Sequence, residues 1–591
     1  MEVPVRRGIW IVLTMIGVAA VVSAVGILVL YTVLSGGPSV PSQSTLVLRP
    51  GGELHEVSPG HVLGPLVDAG GTTVRSYVES LGKAKRDPRV RSVLLIPSAF
   101  QTPFWGKLQE LRDAVLDFRQ SGKMVVAFLE YGGEREYYLA SAADQVFLLP
   151  TSPLDVSGVA TYEIFLRGTL DKLGVYPDFL HIGDYKTAVN QLTEKTFTPA
   201  HREMAESLNR DAYEQLVTGI AEGRRKMPSD VRALLDEGPF LPEAALAAGL
   251  VDGLAYEDQL DDRVRELRPE EGEVRRVEGN DYRRIDERSV GIRPRSKIAV
   301  IYIVGAIASG RGGYDPVNGA IVGSDTLVEQ IREIRDDDDI KAIVVRIDSP
   351  GGSSTASDVV WRELMITRDE RPSRPLVTSM SDLAASGGYY VALPGQVIVA
   401  EPGTWTGSIG IYTGKMVVAG TLDKLGVNMQ PLTSGRNAAI QSPLTPYTQE
   451  QRAKIDAVMR AFYTQFVEKV AISRRMTVEQ VEAVAQGRVW TGAQAKARGL
   501  VDALGGLATA VRVAKERARI PADEDVELIA YPPRRGLYEL FVEQFGGSRV
   551  RFGALGLLRA MLGHSGPAPL TPTQIFRRGE PLALMPFVAF P

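Results

Sequence analysis

Gly168-Thr-Leu-Asp-Lys-Leu-Gly-Val175 recurs as Gly420-Thr-Leu-Asp-Lys-Leu-Gly-Val427, eight identical residues at an offset of 252. At the same offset Tyr137-Tyr-Leu-Ala140 resembles Tyr389-Tyr-Val-Ala392, and Gly249-Leu-Val-Asp252 returns as Gly499-Leu-Val-Asp502 at offset 250. Three matches in order at a near-constant offset indicate two copies of one domain. The copies are expected over residues 44–266 and 297–530. The Arg- and Glu-rich stretch 267–296 reads as a linker, and residues 531–591 as a tail rich in Pro, Gly and Arg.

Each copy alternates strand and helix signals. In the second, the β-rich run Ile298–Val304 is followed by Ser324, read as an N-cap, with Leu327, Ile331 and Ile334 at helical spacing. Then come Ile343–Ile347, a helix expected from near Ser357, and the strand-like Pro375–Thr378. This alternation predicts an α/β fold with a mostly parallel sheet.

Composition narrows the chemistry. A chain of 591 residues exceeds a single core, and 44% hydrophobic with 23% charged residues is a globular balance. A net charge of −4 offers no basic excess for nucleic acid. With no cysteine there is no thiol nucleophile, disulfide or Cys-bearing zinc site, and the five histidines show no metal spacing. No metal or cofactor is expected. The acidic run Asp336–Asp339 reads as a solvated helix end.

From Gly8 to Leu34 no residue is charged, and Arg6 and Arg7 precede the stretch. About 20 helical residues cross a ~30 Å hydrocarbon layer. Residues 1–43 are therefore expected to hold a cytoplasmic stub, a transmembrane helix and a linker, with everything after exported. The run is longer than the core of a cleaved signal peptide, which favours a retained anchor.

Two segments of the second copy carry chemistry: Asp348-Ser-Pro-Gly-Gly352, after one strand, and Leu383-Ala-Ala-Ser-Gly-Gly-Tyr-Tyr390, after the next. Sites in open α/β folds gather at such carboxyl ends. Ser386 sits among small residues, as a nucleophile on a tight strand-to-helix turn requires. Backbone N–H groups at Gly351, Gly352 and Gly387 are oxyanion-hole candidates. The second copy proper has no histidine, so the base is either His181 or His201 borrowed from the first copy, or a lysine. Lys186 follows an apolar stretch in His181-Ile-Gly-Asp-Tyr-Lys-Thr-Ala188. At offset 252 Lys186 corresponds to Ala438, and Ser386 to Glu134. Each copy lacks the other's residue, which predicts one site built from both. A lysine base needs burial to lower its pKa, at a cost of roughly 4–5 kcal/mol for a shift to neutrality.

At these residues the chain resembles the signal peptide peptidase A family in its long, tandem-domain form. The likeness rests on Asp348–Gly352, Ala384–Tyr390, Thr406-Gly-Ser-Ile-Gly410, Val489-Trp-Thr-Gly492 with Gly499–Asp502, and Gly183-Asp-Tyr-Lys186. It implies tandem Clp protease/crotonase-like domains and a Ser–Lys dyad of Ser386 and Lys186. It also implies endoproteolysis of signal peptides and similar extended apolar peptides, a bacterial inner-membrane location with the catalytic domains outside the cytoplasm, and oligomers, of which a tetramer is one form. Met380-Ser-Asp382 departs from the family, which commonly has glycine after the methionine, and the tail after Pro532 matches poorly. The tail's apolar end, Leu582 to Phe590, is expected to pack on the domain, the alternative being a self-inhibitory strand in the substrate groove.

Two other classes compete. An inactive membrane scaffold on the same fold would leave Ser386 unreactive. A crotonase-like acyl-CoA enzyme would hold oxyanions similarly, but an exported chain does not meet a cytosolic CoA substrate.

Overall fold

The computed structural model describes residues 39–57, 73–267, 273–315, 319–532 and 580–585, with a few positions between 14 and 26. The expected anchor, Gly8 to Leu34, lies almost wholly outside the described residues. Among those residues no helix is long and apolar enough to cross a membrane.

The first copy is built on a six-stranded parallel sheet, with the strands Ser44–Leu48, Val90–Leu95, Met124–Leu129 and Gln145–Leu148 side by side. The second has an eight-stranded sheet in which Ser296–Val304, Ile340–Ser349 and Leu376–Ala385 run parallel. These strands are near-continuous apolar runs because helices cover both faces. Leu46, Val93, Val125 and, in the second copy, Ile301, Val345 and Val377 are fully buried or nearly so.

The repeat is written into matching contacts. Tyr137 Oη donates to Leu250 O at 2.6 Å, and Tyr389 Oη to Leu500 O at 2.9 Å. Asp252 Oδ2 accepts from Val146 N, and Asp502 Oδ2 from Ile398 N, both at 2.8 Å. The long helices Pro199–Arg224 and Gln449–Arg474 have 26 residues each, and each ends on a left-handed arginine, Arg225 and Arg475.

Three local expectations shift. The helix expected near Ser357 starts at Ser354, because Ser353 Oγ caps it by accepting from Ala356 N at 3.1 Å. The first helix of the second copy is capped by Gly323, with Ser324 already inside it. The stretch read as a linker contributes the strand Arg275–Glu278, parallel to Ser44–Leu48 at the sheet edge. Val277, Tyr282, Ile285 and Val290 in it are buried, so sparse apolar residues in a charged stretch suffice to dock it. The acidic run closes the helix Ser324–Asp336, with Asp339 on Lys297 at 2.8 Å and Asp338 on Arg371 at 2.5 Å.

A third sheet joins the copies. The first-copy strand Tyr176–Ile182 pairs antiparallel with the second-copy strand Ile411–Val417 over seven residue pairs. Tail residues Leu582–Leu584 enter this sheet between Gly351–Ser353 and Ile411–Val417. The expectation that the tail's end packs on the domain holds for residues 582–584, which do so as an added strand of this sheet. Gly351–Ser353 presents an open strand edge, and an unpaired edge recruits a strand.

Candidate active site

Ser386 sits between the strand Leu376–Ala385 and the helix Gly387–Ala392. Its φ of 57° and ψ of −113° are unusual for a non-glycine residue. Two backbone bonds hold it there: Ser386 N donates to Gly407 O at 2.7 Å, and Ser386 O accepts from Tyr390 N at 2.9 Å.

Lys186 arrives from the other copy. The antiparallel pairing with Ile411–Val417 carries the chain to Ile182, and four residues later Lys186 lies in the core of the junction. The approach is backbone to backbone. Tyr185 N donates to Gln486 O at 2.8 Å, and a Cβ on Gly487 would fall 2.4 Å from Lys186 N. Gly487 also has a φ of 79°, so no other residue fits easily there.

Lys186 Nζ donates to Ser386 Oγ at 2.7 Å and to Ser408 O and Oγ, each at 3.0 Å. Lys186 and Ser386 are both 0% exposed. Burial alone holds the Lys186 ammonium well below the ordinary lysine pKa, with no carboxylate opposing it. Ser408, itself at a φ of 51°, was not singled out from the sequence. Its signal was present in Thr406-Gly-Ser-Ile-Gly410.

The borrowed-histidine alternative is corrected. His201 is buried against Glu163, with Nε2 2.6 Å from Oε2, and His181 Nδ1 lies 3.0 Å from Gly183 O. Both are engaged away from Ser386.

The three oxyanion-hole candidates separate by their bonds. Gly351 N donates to Ser349 Oγ at 3.1 Å. Gly352 faces tail residue Ala583 across an antiparallel ladder. Met585 N donates to Pro350 O at 2.8 Å and Ser354 N to Pro581 O at 3.3 Å. Bonded pairs alternate along such a ladder, so Gly352–Ala583 is the bonded pair between them, with Gly352 N–H directed at Ala583 O. A Cβ on Gly351 would lie 2.0 Å from Ala583 O and 2.6 Å from Gly387 N, so that carbonyl sits beside the helix start that follows Ser386. Gly351, at a φ of 99°, must be glycine for this approach.

Ionic contacts between the copies brace both loops. Lys107 Nζ is 2.7 Å from Asp348 Oδ2, and Lys107 N donates to Asp382 Oδ1 at 2.8 Å. Burial pushes the Asp348 carboxyl up to about 6 against the pull of Lys107. Asp382 is therefore a docking point for a first-copy helix, Gly106–Arg119.

Glu401 is buried nearby, neither of its oxygens has a partner among the described residues, and burial raises its pKa well above the carboxylate range. Folding thus takes up a proton at Glu401, and this site costs stability as pH rises above the unfolded value of 4.5. Glu401→Gln removes that cost. Its stability should equal the wild type's below pH 4.5 and exceed it increasingly above, by up to about 1.4 kcal/mol per pH unit. Thermal denaturation of both proteins across pH checks this.

Residues 117–269 and 368–521 each match peptidase family S49. The chain belongs to peptidase family S49. Serine protease SPPA, chloroplastic, from Arabidopsis thaliana is 34% identical over 78% of this chain and 68% of its own length. Protease 4 of Salmonella typhi is 33% identical over 83% of this chain and 78% of its own. Among solved structures, ClpP1 from Listeria monocytogenes aligns over 35% of this chain and 89% of its own, at 12% identity and a TM-score of 0.20. The S49 chain therefore has two tandem family domains of α/β fold, and is a serine-protease-type peptidase related to Protease 4 and SppA.

Proposed function

We propose that this S49 protein is a membrane-anchored endopeptidase in which Ser386 is the nucleophile and Lys186 its general base. The observation that carries the reading is the 2.7 Å contact between Lys186 Nζ and Ser386 Oγ at a fully buried junction. Neutral Lys186 takes the Ser386 proton, and Ser386 Oγ attacks the scissile carbonyl carbon. The N–H groups of Gly352 and Gly387 hold the oxyanion. Lys186 returns the proton to the leaving amine, and the same lysine activates the water that hydrolyses the acyl-enzyme.

Substrates are extended apolar peptides with a small residue at the cut, of which signal peptides left in the membrane are one class. The tail supports this. Leu582–Leu584 lies as an added strand, Ala583 is buried with its carbonyl oxygen beside Gly387, and Met585 packs among Met204, Leu208, Trp405 and Val489. The uncharged run Gly8 to Leu34 is the proposed anchor, placing both domains outside the cytoplasm at the bacterial inner membrane.

A substrate-like strand held in cis has a high effective concentration and should compete with added peptide. The test compares the full-length chain with one ending at residue 579, using a fluorophosphonate probe and an alanine-containing apolar peptide. Ser386 should be labelled in both, and the shortened chain should react roughly tenfold faster. Absence of labelling in both would reject the protease reading in favour of an inactive scaffold.

A further inference from the structure

Tail residues Pro581, Ala583 and Met585 are buried, and Leu582 and Leu584 between them are half-buried, the alternation that a strand imposes. Met585 N donates to Pro350 O at 2.8 Å, so the ladder holds as far as this residue. Ala583 O lies beside Gly387, where the oxyanion of an acyl group would form. Counted from Ala583 as the acyl residue, Leu584 and Met585 are the first and second residues beyond the scissile bond.

The Met585 side chain clusters with Met204, Leu208, Trp405 and Val489. The same four residues, with Ala205, line a cavity that Met585 leaves open. Its walls come from both copies. Met204, Ala205 and Leu208 lie on the first-copy helix Pro199–Arg224, and Val489 begins the second-copy strand Val489–Thr491. Val489 N donates to Met204 Sδ at 3.2 Å, which clamps helix to strand. His201 and Glu163 also line the cavity, and their 2.6 Å contact pairs them with each other. The wall that meets Met585 is apolar.

We infer that this cavity is the subsite for the second residue beyond the cut, and that it selects a large apolar side chain such as methionine there. The inference rests on the Ser386 peptidase reading proposed above. Met585 supplies the example, an unbranched thioether seated between the first-copy helix and the second-copy strand. Burying such a side chain against this wall is favourable, whereas a carboxylate would lose its hydration with only apolar atoms opposite it. Leu584 is half-buried, so the residue between is held less closely. The sequence selected is therefore a small residue, a freely chosen one, then a large apolar one. The first copy supplies the selecting helix as well as Lys186.

The test gives the full-length protein a set of apolar peptides that share an alanine on the acyl side of the cut. They differ only in the second residue beyond it, which is methionine, alanine or aspartate. The tail competes with all of them by the same factor, so ratios of kcat/KM read the subsite. The methionine peptide should exceed the alanine peptide by about tenfold, and the aspartate peptide should be slowest. Mass spectrometry of the products should place the cut directly after the shared alanine. Ala205 is half-buried and lines the cavity, so Ala205→Phe fills it. In that variant the methionine-to-alanine ratio should fall to about one. A ratio taken within one preparation does not depend on how much of it is folded. Equal wild-type rates, a cut at another bond, or a ratio that Ala205→Phe leaves unchanged would overturn the subsite and leave the Ser386 peptidase standing. Cleavage of no peptide would overturn the peptidase reading and the subsite with it.

Discussion

Lys186→Ala is expected to lower kcat/KM for peptide hydrolysis by about 10⁴-fold while leaving the fold intact. Lys186 Nζ is in hydrogen-bond contact with Ser386 Oγ, and among the described residues no carboxylate near it restores its charge. Without it, Ser386 has only water to take its proton. Ser386→Ala should lose as much, and the double variant no more than either, because the two residues act as a unit. The stability signature separates catalysis from architecture. Lys186 has a pKa depressed in the folded state, so folding releases a proton at every pH between that value and 10.5. The lysine therefore costs stability at neutral pH, and Lys186→Met should melt at or above the wild-type temperature while being inactive. A scaffold lysine would show the reverse. Steady-state kinetics and calorimetry on the same preparations check both parts.

Arg346→Ala should be the most destabilising single change at the junction, by about 3–5 kcal/mol. Arg346 is 1% exposed. Its Nε and Nη2 donate to the two oxygens of Glu56 at 2.9 and 2.7 Å, and Nη1 donates to Ser379 Oγ at 2.9 Å. Nη2 also reaches Glu110 Oε2 at 2.5 Å. Glu56 and Glu110 come from the first copy, Arg346 and Ser379 from the second. Removing the guanidinium strands two buried carboxylates. Arg346 outweighs burial in holding the Glu56 carboxyl down at about 2, so the cost persists at neutral pH. Arg346→Met with Glu56→Gln should recover part of the loss, since neither change then leaves that pair half-made. The midpoint of urea unfolding reads these differences. Ser386 labelling should slow in Arg346→Ala as well, because the same junction presents Lys186.

The repeat made much of this legible before any coordinates. Eight identical residues at offset 252 implied two copies, and the exchange of Lys186 for Ala438 and of Ser386 for Glu134 implied a shared site. Parallel-sheet strands such as Ile298–Val304 announce themselves as apolar runs because both faces are covered. What stayed hidden was pairing across long separations. Nothing local in Lys107, Asp382 or Arg346 says that their partners lie in the other copy, because a buried ion pair leaves no periodic signature. Ser408 was within a quoted motif, yet its contact with Lys186 depends on a backbone turn at a φ of 51° that residue type does not encode. The tail strand was missed for a related reason. Leu582–Leu584 has only three residues, and its strand state comes from the open edge of Gly351–Ser353.

The central claim is that a buried, neutral Lys186 activates Ser386. The most direct measurement is the rate of fluorophosphonate labelling of Ser386 as a function of pH, in the wild type and in Lys186→Ala. The account predicts a wild-type rate that rises through a single inflection far below 10.5 and then levels, with that inflection absent from Lys186→Ala. An inflection at the ordinary lysine value, or a profile unchanged by Lys186→Ala, would contradict it.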